Sequence, residues 1–170
     1  MDYVIDEVAA LPEPRPFLQL LGAMDEGSAA IITQGMERLG RENFSAASVS
    51  PEAVADFYRA ADIFVLGSLA EGFGRVYLEA LSHGLPTIGH RHPVMKYVLG
   101  EAGSVGDLSI PGGLTTILVE ELRHLPFATP KEAEDRRESV RSRFSWEVLR
   151  PAYAEMFRTA AVAPMPWGAG

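Results

Sequence analysis

Glu71 and Glu79 bracket the segment Gly72-Phe73-Gly74-Arg75-Val76-Tyr77-Leu78, which follows the apolar run Asp62-Ile63-Phe64-Val65-Leu66. The order reads as strand, glycine-bearing turn, helix, with one carboxylate on the turn and one inside the helix. Two glycines let backbone N–H groups come close to a ligand, and the opening of a helix favours negative charge. Two carboxylates at the same place can accept hydrogen bonds from a polyhydroxylated molecule. Phosphate on the amides and hydroxyls on the acids together suggest a sugar nucleotide.

Regular elements must hold that segment. Residues 2–11 read as a helix stopped by Leu11-Pro12-Glu13-Pro14, and residues 16–22 as a buried strand. Residues 28–39 are amphipathic, with Ile31, Ile32 and Met36 on one side and Gly40 as the stop. Residues 43–48 form a weaker strand. Ser50-Pro51 starts a helix to about Ala60 as N-cap and first-turn proline, with Val54, Phe57 and Tyr58 as its apolar face. The strand 63–66, the Gly-Phe-Gly turn and a helix ending at His83-Gly84 follow. A strand at 85–89, a short helix at 92–99 and an edge strand at 103–106 complete the alternation. Beyond Pro111 the chain reads as helical, with a capping box at Thr129-Pro130-Lys131-Glu132 and a last helix started by Ser145. Trp146 and Tyr153 read as core, and the charged stretch 131–143 as a solvated helix face.

This alternation implies an α/β fold, a Rossmann-like parallel sheet with helices on both faces and a helical C-terminal extension. Right-handed crossovers place all strand C-terminal ends on one edge, where ligands bind. That edge would carry residues 22–25, 48–49, 68–74 and 89–92, so the carboxylates and glycines fall on the binding side. Residues 1–161 form one domain and 162–170 a flexible tail.

At 170 residues the chain can bury a real core, and its 47% hydrophobic and 22% charged content are those of an ordinary globular protein. A net charge of −8 argues against a nucleic-acid partner. The absence of cysteine excludes disulfides and cysteine-ligated metals, and it suits the cytoplasm. No apolar run reaches the ~18 residues of a membrane span.

The string Asp62, Ser68, Glu71-Gly72-Phe73-Gly74, Glu79-Ala80 and Gly84-Leu85-Pro86 closely resembles the C-terminal, donor-binding domain of GT-B retaining glycosyltransferases, family four in particular. The resemblance is sharp over residues 60–90 and looser from residue 1 to Phe144-Ser145-Trp146-Glu147. It implies one half of a GT-B fold binding a UDP-, GDP- or ADP-sugar. Carried over residue by residue, Glu71 takes the catalytic assignment and grips the hexose hydroxyls, with the Gly72 and Phe73 amides beside it. Gly74, Arg75 and Val76 lie against the diphosphate, and Glu79 accepts the ribose hydroxyls. The resemblance implies no metal, no cofactor and no agreed side-chain nucleophile.

Two departures accompany it. An arginine and a lysine that members carry just upstream of a helix like residues 1–7 are absent. A Gly-Gly-x-x-Glu segment is replaced by His90-Arg91-His92-Pro93-Val94. His90 and His92 are candidate loop contacts to donor or acceptor; their i, i+2 spacing without an acidic partner is a poor zinc site. Arg75 reads equally as a phosphate ligand or as the ion-pair partner of Glu71 or Glu79. His83, before Gly84, reads as a helix-terminal residue facing the dipole.

The N-terminal acceptor domain of such enzymes is missing, so no transfer is expected from this chain alone. The exposed interdomain face is one through which two copies could pair. Membrane association would be peripheral, through the missing domain. The alternative reading is a non-catalytic Rossmann-like module that uses the same face for docking. A nicotinamide-binding domain fits less well, because the third glycine of that fingerprint is lacking.

Overall fold

The computed structural model describes residues 2–23 and 25–162. Met1 and, of the expected tail, residues 163–170 lie outside the described residues; Val162 ends the last helix. The element order is α1 (Asp2–Ala9), β1 (Leu18–Leu21), α2 (Ser28–Leu39), β2 (Phe44–Ala47), α3 (Pro51–Ala60), β3 (Phe64–Val65), α4 (Arg75–Ser82), β4 (Thr87–His90), α5 (Pro93–Leu99), β5 (Ser104–Gly106), α6 (Gly113–His124), α7 (Pro130–Phe144) and α8 (Trp146–Val162). None of these helices is long and apolar enough to cross a membrane, among the described residues.

All strand pairs are parallel, as expected, but the hydrogen bonding divides into two sheets, β1-β2 and β3-β4-β5. The expected single ladder is therefore broken between β1 and β3. Ile63 and Val65 still pack on the same core as Leu18 and Leu20, so apolar burial joins the sheets where backbone pairing does not. The first strand was expected to be buried. It is half-buried throughout, because it is an edge of a two-stranded sheet.

Alternation along β3 shows how both faces are covered. Ile63 and Val65 point to the core built by Val4, Ile5 and Val8 of α1, Leu39 of α2, Phe44, Ile88, and Leu114 and Leu118 of α6. Phe64 and Leu66 point the other way, to Tyr77 and Leu81 of α4 and Met95, Val98 and Leu99 of α5. Phe44 is seated by Gly35, where an added Cβ would lie 2.3 Å from its ring.

Two helices are locked by groups distant in sequence. The carboxylate of Glu7, 5% exposed, accepts hydrogen bonds from the Gly112 and Thr115 amides (2.6 and 2.8 Å) and the Thr115 hydroxyl (2.8 Å). The Tyr3 hydroxyl accepts from the Leu114 amide at 3.1 Å and donates to the Ile110 carbonyl at 3.2 Å. α1 thus caps the start of α6, satisfying amides that every helix leaves without internal partners. At the other end of the chain, α7 is more than a solvated charged face. Arg136 and Arg137 donate to the Gly84 and His83 carbonyls (3.3 and 3.2 Å) at the end of α4, and Arg143 donates to the Val98 carbonyl (3.2 Å) at the end of α5. Guanidinium groups at helix C-termini are favoured by the dipole as well as by the hydrogen bonds.

The expected core position of Trp146 and Tyr153 is corrected: they are 61% and 46% exposed, their rings 6.0 Å apart on α8. Among the described residues α8 packs chiefly on α7, which leaves these rings exposed. The caps divide. Thr129 Oγ accepts from the Glu132 amide at 3.3 Å as its sequence motif requires, whereas Ser50 holds the N-cap position of α3 without a side-chain cap bond.

Candidate functional site

The site starts where β3 ends. Ser68 Oγ donates to the Ala70 carbonyl at 2.8 Å, closing the loop that delivers Glu71. Gly74 then takes φ +72° and ψ +56°, the left-handed conformation, as N-cap of α4. A Cβ there would be strained and would lie 2.6 Å from the Tyr77 ring. Over Gly72 the opposite holds, with open space around the position of a Cβ. The turn is thus closed beneath by Tyr77 and open above, and it leads directly into the eight-residue helix α4, whose first amides lack partners within the helix.

Along α4, Tyr77, Ala80 and Leu81 form the buried side. With 3.6 residues per turn, Arg75 and Glu79 then share the opposite side and Val76 borders it. Glu79 Oε2 accepts a hydrogen bond from the Tyr58 hydroxyl at 3.2 Å, and the Glu79 carbonyl meets His83 Nδ1 at 2.8 Å. Tyr58 also stacks on His83, centroids 5.1 Å apart and 25° between planes. Burial, reinforced by the Glu79 charge, pushes the Tyr58 phenol well above its ordinary value, so it stays a donor to the carboxylate. The expectation for His83 at the helix end is met. Sequence reasoning assigned Tyr58 to an apolar face and missed its hydroxyl.

Tyr77 carries a second unforeseen feature. It is fully buried, and among the described residues its hydroxyl is the buried side-chain polar atom that lacks a hydrogen-bond partner. A Cβ on Gly89 of β4 would stand 2.8 Å from that oxygen, so glycine at 89 makes room for the ring. Burial and then the charge of Glu71 push its phenol up to about 12.

Among the described residues Arg75 makes no ion pair, so neither Glu71 nor Glu79 neutralises it here. His90 and His92 lie at the C-terminal end of β4, on the same side of this sheet as the turn. Each is already engaged: His90 Nδ1 accepts from the Leu108 amide at 3.0 Å, and His92 Nδ1 accepts from the Val94 amide at 3.3 Å as N-cap of α5. An amide can only donate, so Nδ1 of His90 bears its lone pair. The 4.0 Å approach of Asp107 to the same nitrogen is therefore no ion pair. Both rings leave Nε2 as the proton-bearing atom for any further contact. Phe73, 42% exposed, leans edge-on against Phe144 at 5.8 Å between centroids.

The glycosyl transferases group 1 family model matches residues 18–112. Mannosylfructose-phosphate synthase of Agrobacterium fabrum is 32% identical over 176 residues, covering 98% of this chain and 34% of that protein. A D-inositol 3-phosphate glycosyltransferase of Paenarthrobacter aurescens is 36% identical over 119 residues, covering 67% of this chain and 25% of that protein. Among solved structures, sucrose-phosphate synthase from Thermosynechococcus elongatus superposes with a TM-score of 0.80 at 22% identity, over 96% of this chain and 42% of that one. Anabaena HepE in complex with UDP gives 0.78 at 21% identity, over 92% and 44%. The chain thus spans about a third of the first relative and under half of these structures.

Proposed function

The chain belongs to the glycosyl transferases group 1 family, and on that premise we propose that it binds the nucleotide-diphospho-sugar donor of a retaining enzyme that moves a hexose to an acceptor. The observation that carries this reading is the open Gly72–Gly74 turn at the start of α4, with Glu79 on the accessible side of the same helix and its carboxylate aimed by Tyr58. Amides of Gly74, Arg75 and Val76, with the Arg75 guanidinium, supply positive potential for the diphosphate. Glu79 retains a second carboxylate oxygen and further lone pairs for the ribose hydroxyls. Glu71, with the Gly72 and Phe73 amides, faces the hexose and the departing phosphate, so its catalytic part is to hold the sugar in position; it is not given the part of nucleophile. His90 and His92 offer Nε2–H groups from the neighbouring loop.

UDP is the first nucleotide to try, since HepE, similar in fold, is solved with UDP and with UDP-glucose. The acceptor and the residues that bind it belong to protein beyond this chain, which alone is expected to hold the donor without transferring it. No metal is needed, because amides and Arg75 provide the positive charge. Calorimetric titration with UDP-glucose, GDP-mannose, ADP-glucose and NADH tests the reading. One base class of sugar donor should bind near a millimolar Kd, about −4 kcal/mol, and NADH should not. Binding of NADH in preference to every sugar donor would sink the proposal.

A further inference from the structure

Phe144, the last residue of α7, reaches the motif turn from seventy residues further along the chain. Its ring meets Phe73 edge-on at 5.8 Å and Tyr97 edge-on at 5.9 Å. The Arg143 guanidinium lies over the same ring at 4.6 Å and over Tyr97 at 5.5 Å, while donating to the Val98 and Tyr97 carbonyls that end α5. Arg143 needs Gly100 for this seat, because a Cβ there would come within 2.8 Å of Nη1. Farther back along α7, Arg136 and Arg137 hold the C-terminal carbonyls of α4. α7 therefore runs antiparallel to α4, fastening its end through arginines and its opening turn through Phe144.

We propose that Phe144 is a positioning residue for donor binding: by fixing the ring of Phe73, it holds the Gly72–Gly74 backbone in the conformation that receives the donor. Beneath, Gly74 packs on the Tyr77 ring and its carbonyl accepts from the Tyr77 amide at 3.0 Å; above, the turn is open. Gly72 has no neighbour within 4 Å of a Cβ position, the Gly74 backbone is left-handed, and Phe73 is the one large side chain between them. Without an anchor, two glycines around an exposed phenylalanine would sample many backbone states, and a donor would have to pay for ordering them. Phe144 also stands two residues before Trp146, where α8 begins, so whatever seats α8 is linked to the turn through one ring contact. That the turn's order matters for a donor rests on the function proposed above; the clasp itself does not.

The test is NMR on the full 15N-labelled chain, comparing wild type with Phe144→Ala, Phe144→Leu and Phe144→Tyr. In the ligand-free protein, Phe144→Ala should move the Gly72–Gly74 amide resonances and lower their order parameters from about 0.85 to below about 0.6, while β1, β2 and α2 amides stay in place. UDP-glucose should then bind about five- to tenfold more weakly, and Phe144→Tyr should restore both properties. Phe144→Leu keeps apolar volume without a ring, and it should behave like the alanine variant if the latter does not fold. Unchanged turn amides in a folded Ala or Leu variant, or a Tyr variant no better than Leu, would overturn the inference. The order parameters need no ligand, so they decide the clasp even if the wild-type chain binds no donor, a result that would count against the function alone.

Discussion

Glu79 is held twice: its carbonyl meets His83 Nδ1 at 2.8 Å and its carboxylate takes the Tyr58 hydroxyl at 3.2 Å. A carboxylate oriented in this way is ready to accept ligand hydroxyls without losing further rotamer freedom. Removing it with Glu79→Ala should cost donor binding about 1.5–3 kcal/mol, roughly ten- to a hundredfold in Kd. Tyr58→Phe should cost less, about threefold, because it frees the carboxylate without deleting it. Calorimetric titration of both variants and their double mutant would show the coupling, since effects that add independently would mean Tyr58 does not act through Glu79. Tyr77 gives the opposite expectation. Among the described residues its buried hydroxyl has no hydrogen-bond partner, so Tyr77→Phe should raise unfolding stability by about 1 kcal/mol. The sign with pH follows from its phenol being pushed up to about 12 from 10.0. A raised acid stabilises the fold fully below the unfolded value and loses that contribution as pH rises from 10 towards 12. Alkaline denaturation over that window should be shallower in the phenylalanine variant.

The contact between α1 and α6 is the element-scale counterpart. Burial alone would raise the Glu7 carboxyl, but the Thr115 and Gly112 amides and the Thr115 hydroxyl outweigh it and hold the group below its ordinary value. A depressed carboxylate contributes stability above the unfolded value, and that contribution is lost as pH falls through the folded one. Glu7→Gln should therefore destabilise the chain near neutrality by about 2–3 kcal/mol, and it should flatten the acid limb of the stability curve measured by urea denaturation. A variant with an unchanged acid limb would show that the cap does not control it. Nothing local announces this cap, because Glu7 and Thr115 are separated by 108 positions. Readings that rest on neighbours along the chain fared better. The bounds of α2, the Thr129 capping box and the glycine turn before α4 follow from spacing and local chemistry. What escaped depends on distant partners: the Tyr58 bond to Glu79, the Phe144 contact with Phe73, and the break between β1 and β3, where side-chain packing replaces a ladder.

At the scale of the whole molecule, α8 departs most from expectation. Trp146, Tyr153, Met156 and Phe157 are between 46% and 65% exposed along one helix. Their apolar character suggested burial, and among the described residues no element covers them. Truncation after Ser145 should shift Tm by less than about 4 °C, the equivalent of about 1 kcal/mol for a domain of this size. A large fall in Tm would show that α8 carries fold stability. The proposed donor site, the turn between β3 and α4, can be interrogated in this chain directly. An amide-shift titration with UDP, GDP and ADP and their sugar conjugates, repeated on Glu79→Ala, addresses the function most directly. The expected result is that one base class shifts the amides of Gly72, Phe73, Gly74, Arg75 and Val76, and that the substitution abolishes the shifts. Shifts confined to other surfaces, or shifts at the turn that persist unchanged in Glu79→Ala, would contradict a donor site built on this helix.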